Sequence, residues 1–245
     1  MDESLIRREP LGKNFTICVS AHHTFGTDAV LLAHFAAAKR HDRLIDLGTG
    51  CGIIPFLMLK EGNLQTACGI DISPEAVFLA EQTARENQVD KFTALCADLT
   101  DLKGKVPFGD CTLVTCNPPY KAPGAGLQNA DEVQKAARHE VACTLRDVVQ
   151  SAAKLLQTGG RFCLCHRPER LPELFGLMHE YRVEPKRLRL VCQRAGEEPW
   201  LVLAEGKKGA HSGLRIAPPL FVEESGALSS EMREIYGDYK EGHCQ

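Results

Sequence analysis

The 245-residue sequence predicts an α/β fold: a mostly parallel sheet with helices on both faces and an antiparallel edge hairpin. Three observations carry that prediction. Short apolar runs alternate with stretches of helical spacing, the mark of βαβ units around a parallel sheet. A glycine-rich turn, Asp46-Leu47-Gly48-Thr49-Gly50-Cys51-Gly52, separates the first such run from the first helix after it. The last two runs have no helix between them, so they pair as a hairpin and not through a crossover.

Each element has its own signal. Arg43–Leu47 reads as the first strand and Ile53–Lys60 as the helix after the glycine turn. Thr66–Ile72 is the second strand, and Pro74–Glu86 a helix with Ser73 as N-cap and Pro74 at its first position. Phe92–Ala97 and Cys111–Cys116 are the third and fourth strands. Val141–Leu156 has apolar residues at helical spacing, with Gly159-Gly160 as its stop, and Arg161–His166 is the fifth strand. A helix over Pro172–Tyr181 precedes the hairpin of Arg187–Cys192 and Trp200–Glu205. Upstream, Thr27 caps a helix to about Ala38. Lys121–Ala137 is rich in Gly, Ala and Asn and has no period, so it reads as a loop serving as a lid. One domain is expected, with residues 1–40 as a strand and helix extension, 41–209 as the core and 210–245 as a tail.

Composition narrows the function classes. A hydrophobic fraction of 44% and a charged fraction of 25% are those of an ordinary globular protein. The formal charge of −3 supplies no global basic field, so a polyanionic partner has to be held by a local patch. No apolar run approaches membrane-spanning length, and the charged N-terminus has no signal-peptide core. Eleven cysteines without a C-x-x-C pair point to reduced thiols and a cytoplasmic location. Cys163, Cys165 and His166 lie along one strand with no distant partner pair, so they read as core and no metal site is expected.

Two motifs carry chemistry. In open α/β sheets ligands bind beyond the carboxyl ends of the strands, where strand order reverses. Asp46 ends the first strand, Gly48, Thr49 and Gly50 form the turn, and Asp71 ends the second strand about twenty residues on, where an acid can accept both hydroxyls of a ribose. The spacing G-x-G-x-G after an acid disfavours a pyrophosphate and suits a ligand carrying positive charge. The second motif is Asn117-Pro118-Pro119-Tyr120, at the end of the fourth strand. Two prolines fix φ, remove two N–H donors and hold the preceding residue extended. The resulting wall offers carbonyl acceptors, one Asn amide and an aromatic ring, and it suits a flat group bearing an NH₂. His22, His23 and His139 read as surface or loop histidines, and no general base is evident.

These residues resemble those of the class I S-adenosylmethionine (SAM) methyltransferases that modify planar amines, whose motifs are D-x-G-x-G-x-G and N-P-P-Y. The resemblance implies a Rossmann-like sheet with SAM as cofactor. It implies that Asp98 meets the adenine amine, that Leu99 and Ile72 pack on the two faces of its ring, and that Thr27 belongs to the cofactor-binding set. It implies that Asn117 and Pro118 accept the hydrogens of the reacting amine while Pro119 and Tyr120 complete the wall. Phe25-Gly26-Thr27-Asp28-Ala29-Val30-Leu31-Leu32-Ala33 and Ala137-Arg138-His139-Glu140 further resemble the small-domain branch that includes the tRNA1(Val) adenine-N6 methyltransferases. On that resemblance the expected substrate is an anticodon-loop adenine of tRNA, with no obligate protein partner. Arg138, Lys186, Arg187 and Arg189, with Lys207 and Lys208, are the candidate RNA contacts. A glutamine N5-methyltransferase shares the wall but carries a helical recognition domain first, and about forty residues precede Asp46 here. A SAM-binding protein without catalysis has no use for the wall.

Overall fold

The computed structural model describes residues 6–12, 14–118 and 143–239. The chain opens with an antiparallel pair, β1 (Arg7–Pro10) and β2 (Thr16–Val19), followed by helix α1 (Thr27–Ala36). The core then alternates: β3 (Arg43–Leu47), α2 (Ile53–Lys60), β4 (Thr66–Asp71), α3 (Pro74–Glu86), β5 (Phe92–Cys96) and β6 (Cys111–Cys116). After the undescribed segment come α4 (Leu145–Leu155), β7 (Leu156–His166), α5 (Leu171–Glu180), β8 (Val183–Cys192) and β9 (Pro199–Lys208). The tail adds the two-residue strands β10 (Arg215–Ile216), β11 (Leu220–Phe221), β12 (Glu223–Glu224) and β13 (Ala227–Leu228), then α6 (Ser230–Tyr236).

The main sheet runs β10-β8-β9-β7-β6-β3-β4-β5, with β11 also on β8. Strands β3 to β7 pair in parallel, while β9 is antiparallel to both β7 and β8. Chain order reverses at β3, which has β4 on one side and β6 on the other. A ligand crevice opens at such a point. Side-chain alternation splits the core into two layers. Leu113, Cys163, Cys165, Leu201 and Leu203 face the layer of α1, α2 and α3, and Val114, Phe162, Leu164 and Val202 face that of α4 and α5.

The sequence places most elements within a residue or two, and the differences have physical reasons. Thr27 is the first residue of α1 and not its cap; Gly26 is the N-cap and supplies no side-chain hydrogen bond. The helix ends two residues earlier than expected, with Ala37 left-handed at φ 45°. Helix α4 starts at Leu145 because Thr144 and Asp147 form a reciprocal capping box there. Gly159-Gly160 does not stop that helix. The chain turns from α4 into β7 at Leu156, and the glycines sit inside β7, where the pairing with β6 shifts register. A side chain at Gly160 would meet the Leu156 side chain at 2.9 Å and the Gln157 carbonyl at 3.0 Å, so the irregularity requires glycine there. Ser73 caps α3 as read, accepting from the Ala76 amide, with Pro74 at its first position.

The tail is integral to the packing. Met232 and Tyr236 of α6 are buried in the same layer as α1, and the Thr27 hydroxyl is 2.8 Å from that of Tyr236. At the other end of α1, Arg161 donates to the Ala36 carbonyl at 2.6 Å and to Asp42 at 2.7 Å. Arg187 donates to the Phe35 carbonyl and to Glu205 and lies over the Phe35 ring. Two cations thus hold the C-terminal carbonyls of α1, where the helix dipole favours positive charge.

Candidate active site

A cavity of about 890 Å³ opens at the carboxyl ends of β3, β4 and β6. That volume is within the usual range for small-molecule sites. Leu47, Gly48, Gly50, Asp71, Ile72, Asp98, Leu99, Asn117 and Pro118 all line it, so the glycine turn, the two strand-end acids and the start of the wall meet in one place.

The turn is built around Asp71. Gly48 and Thr49 donate their amides to the Ile70 carbonyl, and Gly50 donates to Asp71 Oδ2 at 2.8 Å. Gly50 is left-handed (φ 55°) and its missing side chain would point into open space, which leaves the backbone bare toward a ligand. Asp71 Oδ1 accepts from Ser73 N at 2.9 Å. A carboxylate has about four acceptor positions and these amides use two, so Asp71 is both oriented by the fold and able to take ribose hydroxyls.

Beside it the surface is apolar. Ile72 is 50% exposed, unusual for a large aliphatic side chain, and Leu99 lines the same cavity. Asp98 Oδ1 accepts from the amide and hydroxyl of Thr100 at 2.8 and 2.7 Å, fixing its carboxylate at the cavity wall. An acid for a ribose, an aliphatic pair for a flat ring and a second acid for an amine fit the adenosine half of SAM.

Asp46 takes a different place from the one its sequence position suggests. It is 1% exposed, is not among the lining residues, and accepts from Thr115 of β6 at 2.6 Å across the switch point. Burial pushes its carboxyl up to about 7, and the nearby hydroxyls of Thr115 and Thr49 oppose the rise. Its second oxygen and the Thr49 hydroxyl are buried without a well-formed hydrogen bond among the described residues. Asp46 therefore ties β3 to β6 behind the turn and does not line the cavity. Thr49 is likewise buried; its side chain lies 2.7 Å from where a Cβ on Gly69 would sit, so β4 needs a glycine there. Thr27 is bonded to Tyr236 and does not line the cavity.

Asn117 follows the last residue of β6 and is held from two sides. Its amide nitrogen donates to Asp28 Oδ2 at 3.1 Å, and its oxygen accepts from the Cys165 thiol at 3.1 Å. Pro119, Tyr120, the 121–137 segment, Arg138 and His139 lie outside the described residues. Four of the other candidate RNA contacts have partners within the fold. Arg187 pairs with Glu205, Arg189 makes a two-pronged pair with Glu231 at 2.6 and 2.7 Å, and Lys186 donates to the His211 carbonyl. Lys208 donates to the carbonyls of Ala153 and Leu156.

Several lining residues were not assigned to a site from the sequence: Asp28 and Arg170, together with His22 and His23, read as surface or loop, and His166, read as core. Ser20 donates to Glu75 at 2.6 Å and accepts from the amides of His22 and His23, which seats that loop at the cavity. His166 is buried, and burial drives its imidazole down to about 4, so it stays neutral near pH 7. Its Nδ1 accepts from Arg167 N at 2.8 Å, which places the ring proton on Nε2. Its position at the carboxyl end of β7, among strand ends that face the crevice, is the signal that could have found it.

Comparison with known proteins agrees with this fold. Residues 19–176, well over half of the chain, match the family described as methyltransferase small domain. A tRNA1(Val) (adenine(37)-N6)-methyltransferase of Parabacteroides distasonis is 28% identical over 218 residues, covering 84% of this chain and 89% of that protein. One from Porphyromonas gingivalis is 29% identical, covering 74% and 72%. Among solved structures, a predicted O-methyltransferase from Agrobacterium tumefaciens superimposes with a TM-score of 0.70 at 23% identity, covering 87% of this chain and 97% of that one. A geranyl diphosphate methyltransferase in complex with SAM gives 0.54 at 14% identity, covering 73% and 85%. At these identities the structural matches speak for the fold. The family match runs from the last residue of β2 into α5, including every strand end that lines the cavity, and the chain belongs to the methyltransferase small-domain family.

Proposed function

We propose that the protein transfers a methyl group from SAM to the exocyclic N6 amine of an adenine in the anticodon loop of a tRNA. One observation carries the reading: Asn117 and Pro118 open on the same cavity as Asp71, Ile72, Asp98 and Leu99, so an amine at the wall lies next to a cofactor held at the strand ends. The names of the relatives support adenine of tRNA as the substrate.

SAM, when bound, supplies an electrophilic methyl group. The chain's own residues bind, orient and polarise. Asp71 takes the ribose hydroxyls, Ile72 and Leu99 enclose the adenine ring, and Asp98 takes its amine. At the wall the Asn117 oxygen and the Pro118 carbonyl accept the two hydrogens of the substrate amine. Those bonds favour a pyramidal nitrogen and localise a lone pair that is otherwise spread over the ring, which is catalysis by orientation and fixed dipoles. The N6 amine lies on the Watson–Crick edge, so the base has to be unpaired or extruded, and an anticodon loop offers bases already splayed.

The test is nucleoside mass spectrometry of tRNA incubated with the protein and methyl-labelled SAM. The expected product is N6-methyladenosine in an anticodon-loop fragment, with activity falling steeply as salt rises. Labelling of a release-factor peptide and not of tRNA would move the assignment to glutamine.

A further inference from the structure

The geometry points to Asp28 as the residue that positions Asn117, by deciding which end of its amide faces the substrate. This rests on the reading that the Asn117 oxygen accepts a hydrogen of the reacting amine.

An Asn side chain has an acceptor end and a donor end of nearly the same shape. Only one end suits an incoming NH₂; the reversed amide would set donor against donor. A group that can only accept settles the choice, and a carboxylate is such a group. Asp28 Oδ2 lies 3.1 Å from the Asn117 amide nitrogen, so the NH₂ is drawn to α1 and the oxygen turns away from it. Cys165, 3.1 Å from that oxygen, cannot settle the choice alone, because a thiol is a weak donor and a weak acceptor.

Asp28 is itself fixed. Its other oxygen accepts from the Ala29 amide at 3.0 Å in the first turn of α1, where the helix dipole favours a negative charge. The residue before the helix makes room for it: a Cβ on Gly26 would lie 2.7 Å from Asp28 Oδ1. Gly26 has an extended backbone (φ −114°) that any residue can adopt, so a side chain there would act by pushing on the Asp28 carboxylate. Far along the same helix, Arg161 and Arg187 hold the carbonyls of Ala36 and Phe35 on the sheet. Helix α1 thus carries Asp28 to Asn117 from a rigid mount, across 89 positions of sequence.

The test uses the full chain with Asp28→Ala, Gly26→Ala, Asn117→Ala and the Asp28→Ala/Asn117→Ala pair. Asp28→Ala is expected to lower kcat on tRNA about tenfold, as when one hydrogen bond to a charged group is lost. SAM affinity and KM for tRNA are expected to stay within about threefold, and Gly26→Ala to give a smaller loss of the same kind. In the Asn117→Ala background, removing Asp28 is expected to cost nothing more, because a positioning residue acts only through its target. An equal loss in both backgrounds overturns the proposal. So does a SAM affinity that falls together with kcat, which would mark a structural role.

A second readout needs no substrate. In ¹⁵N spectra the Asn117 side-chain NH₂ pair, identified by its absence in Asn117→Ala, is expected to exchange slowly with solvent in the parent protein and rapidly in Asp28→Ala. Unchanged exchange in Asp28→Ala overturns the proposal whatever the substrate is. Absence of tRNA methylation by the parent protein counts against the proposed function alone, and the amide exchange then decides the role of Asp28.

Discussion

Replacing Asp71 with Asn keeps the shape of the side chain and removes its charge, and the structure fixes what that does. Both oxygens of Asp71 already accept backbone amides, from Gly50 at 2.8 Å and Ser73 at 2.9 Å. An Asn can accept from only one of them, and its NH₂ must face the other, donor against donor. Leaving one partly buried amide unpaired costs about 1–2 kcal/mol, taking the lower part of the range because Asp71 is half-buried. For a chain of this size that lowers Tm by about 2–8 °C without any ligand. The affinity for SAM falls separately, because the ribose hydroxyls lose a charged acceptor worth about 1.5–3 kcal/mol, or ten- to a hundredfold. Asp71→Ala should show a similar loss of affinity, with both amides left to water. Titration calorimetry with SAM, paired with thermal unfolding of the ligand-free protein, separates the two effects. Parent-like SAM affinity in Asp71→Asn would refute the role assigned to Asp71, and a parent protein that binds NAD and ignores SAM would refute the cofactor.

Ile72→Ala should weaken SAM binding by about 1–2 kcal/mol, from the apolar area that the ligand covers, and should barely change stability, since the side chain is 50% exposed in the free protein; a large loss of Tm with unchanged affinity would contradict this. Asp46→Asn should alter the pH profile of stability. The folded protein holds the Asp46 proton up to about pH 7 whereas the unfolded chain releases it near 3.8, so the parent protein loses stability as pH rises between those values. The difference in Tm between variant and parent should therefore shift in favour of Asn from pH 4 to pH 7, and a constant difference would remove Asp46 as the cause. Arg189→Ala should lower Tm by breaking the pair with Glu231 that ties β8 to α6, and should leave tRNA affinity and its salt slope unchanged; a slope smaller by about one would make Arg189 a phosphate contact.

What the sequence shows and what it hides follows from range. Asp71 and the glycine turn were legible because a strand end, a turn and a strand-end acid recur at fixed separations in this fold. Ser73 with Pro74 is a local start signal, and the structure has the cap where it was read. Asn117 announced itself through the proline after it. The partner of Asn117 was not legible, since nothing local links positions 28 and 117. The ion-pair partners of the β8 arginines were hidden for the same reason. Arg187 and Arg189 were read as candidate RNA contacts, and their partners Glu205 and Glu231 lie 18 and 42 positions away and become neighbours only through the hairpin and the tail. Gly159-Gly160 failed differently: a glycine pair after a helical stretch signals a stop and a strand irregularity equally well, and only the pairing with β6 distinguishes them.

The place of β9 between β7 and β8 bears on how the chain is made. A ribosome releases β7, then β8, then β9, but β8 has no parallel seat beside β7; β9 must come between them. Until residue 208 has emerged, β7 therefore presents an open edge along Cys163, Leu164 and Cys165, all fully buried in the finished protein. Such an edge invites pairing with another nascent chain. The hairpin limits that exposure, because β8 and β9 are joined by a short turn and close within microseconds, far faster than residues are added. Cys165 also donates to the oxygen of Asn117, so the strand with the open edge is the one that touches the proposed catalytic wall. A chain stalled between β8 and β9 would thus carry an unpaired strand edge directly beside that wall.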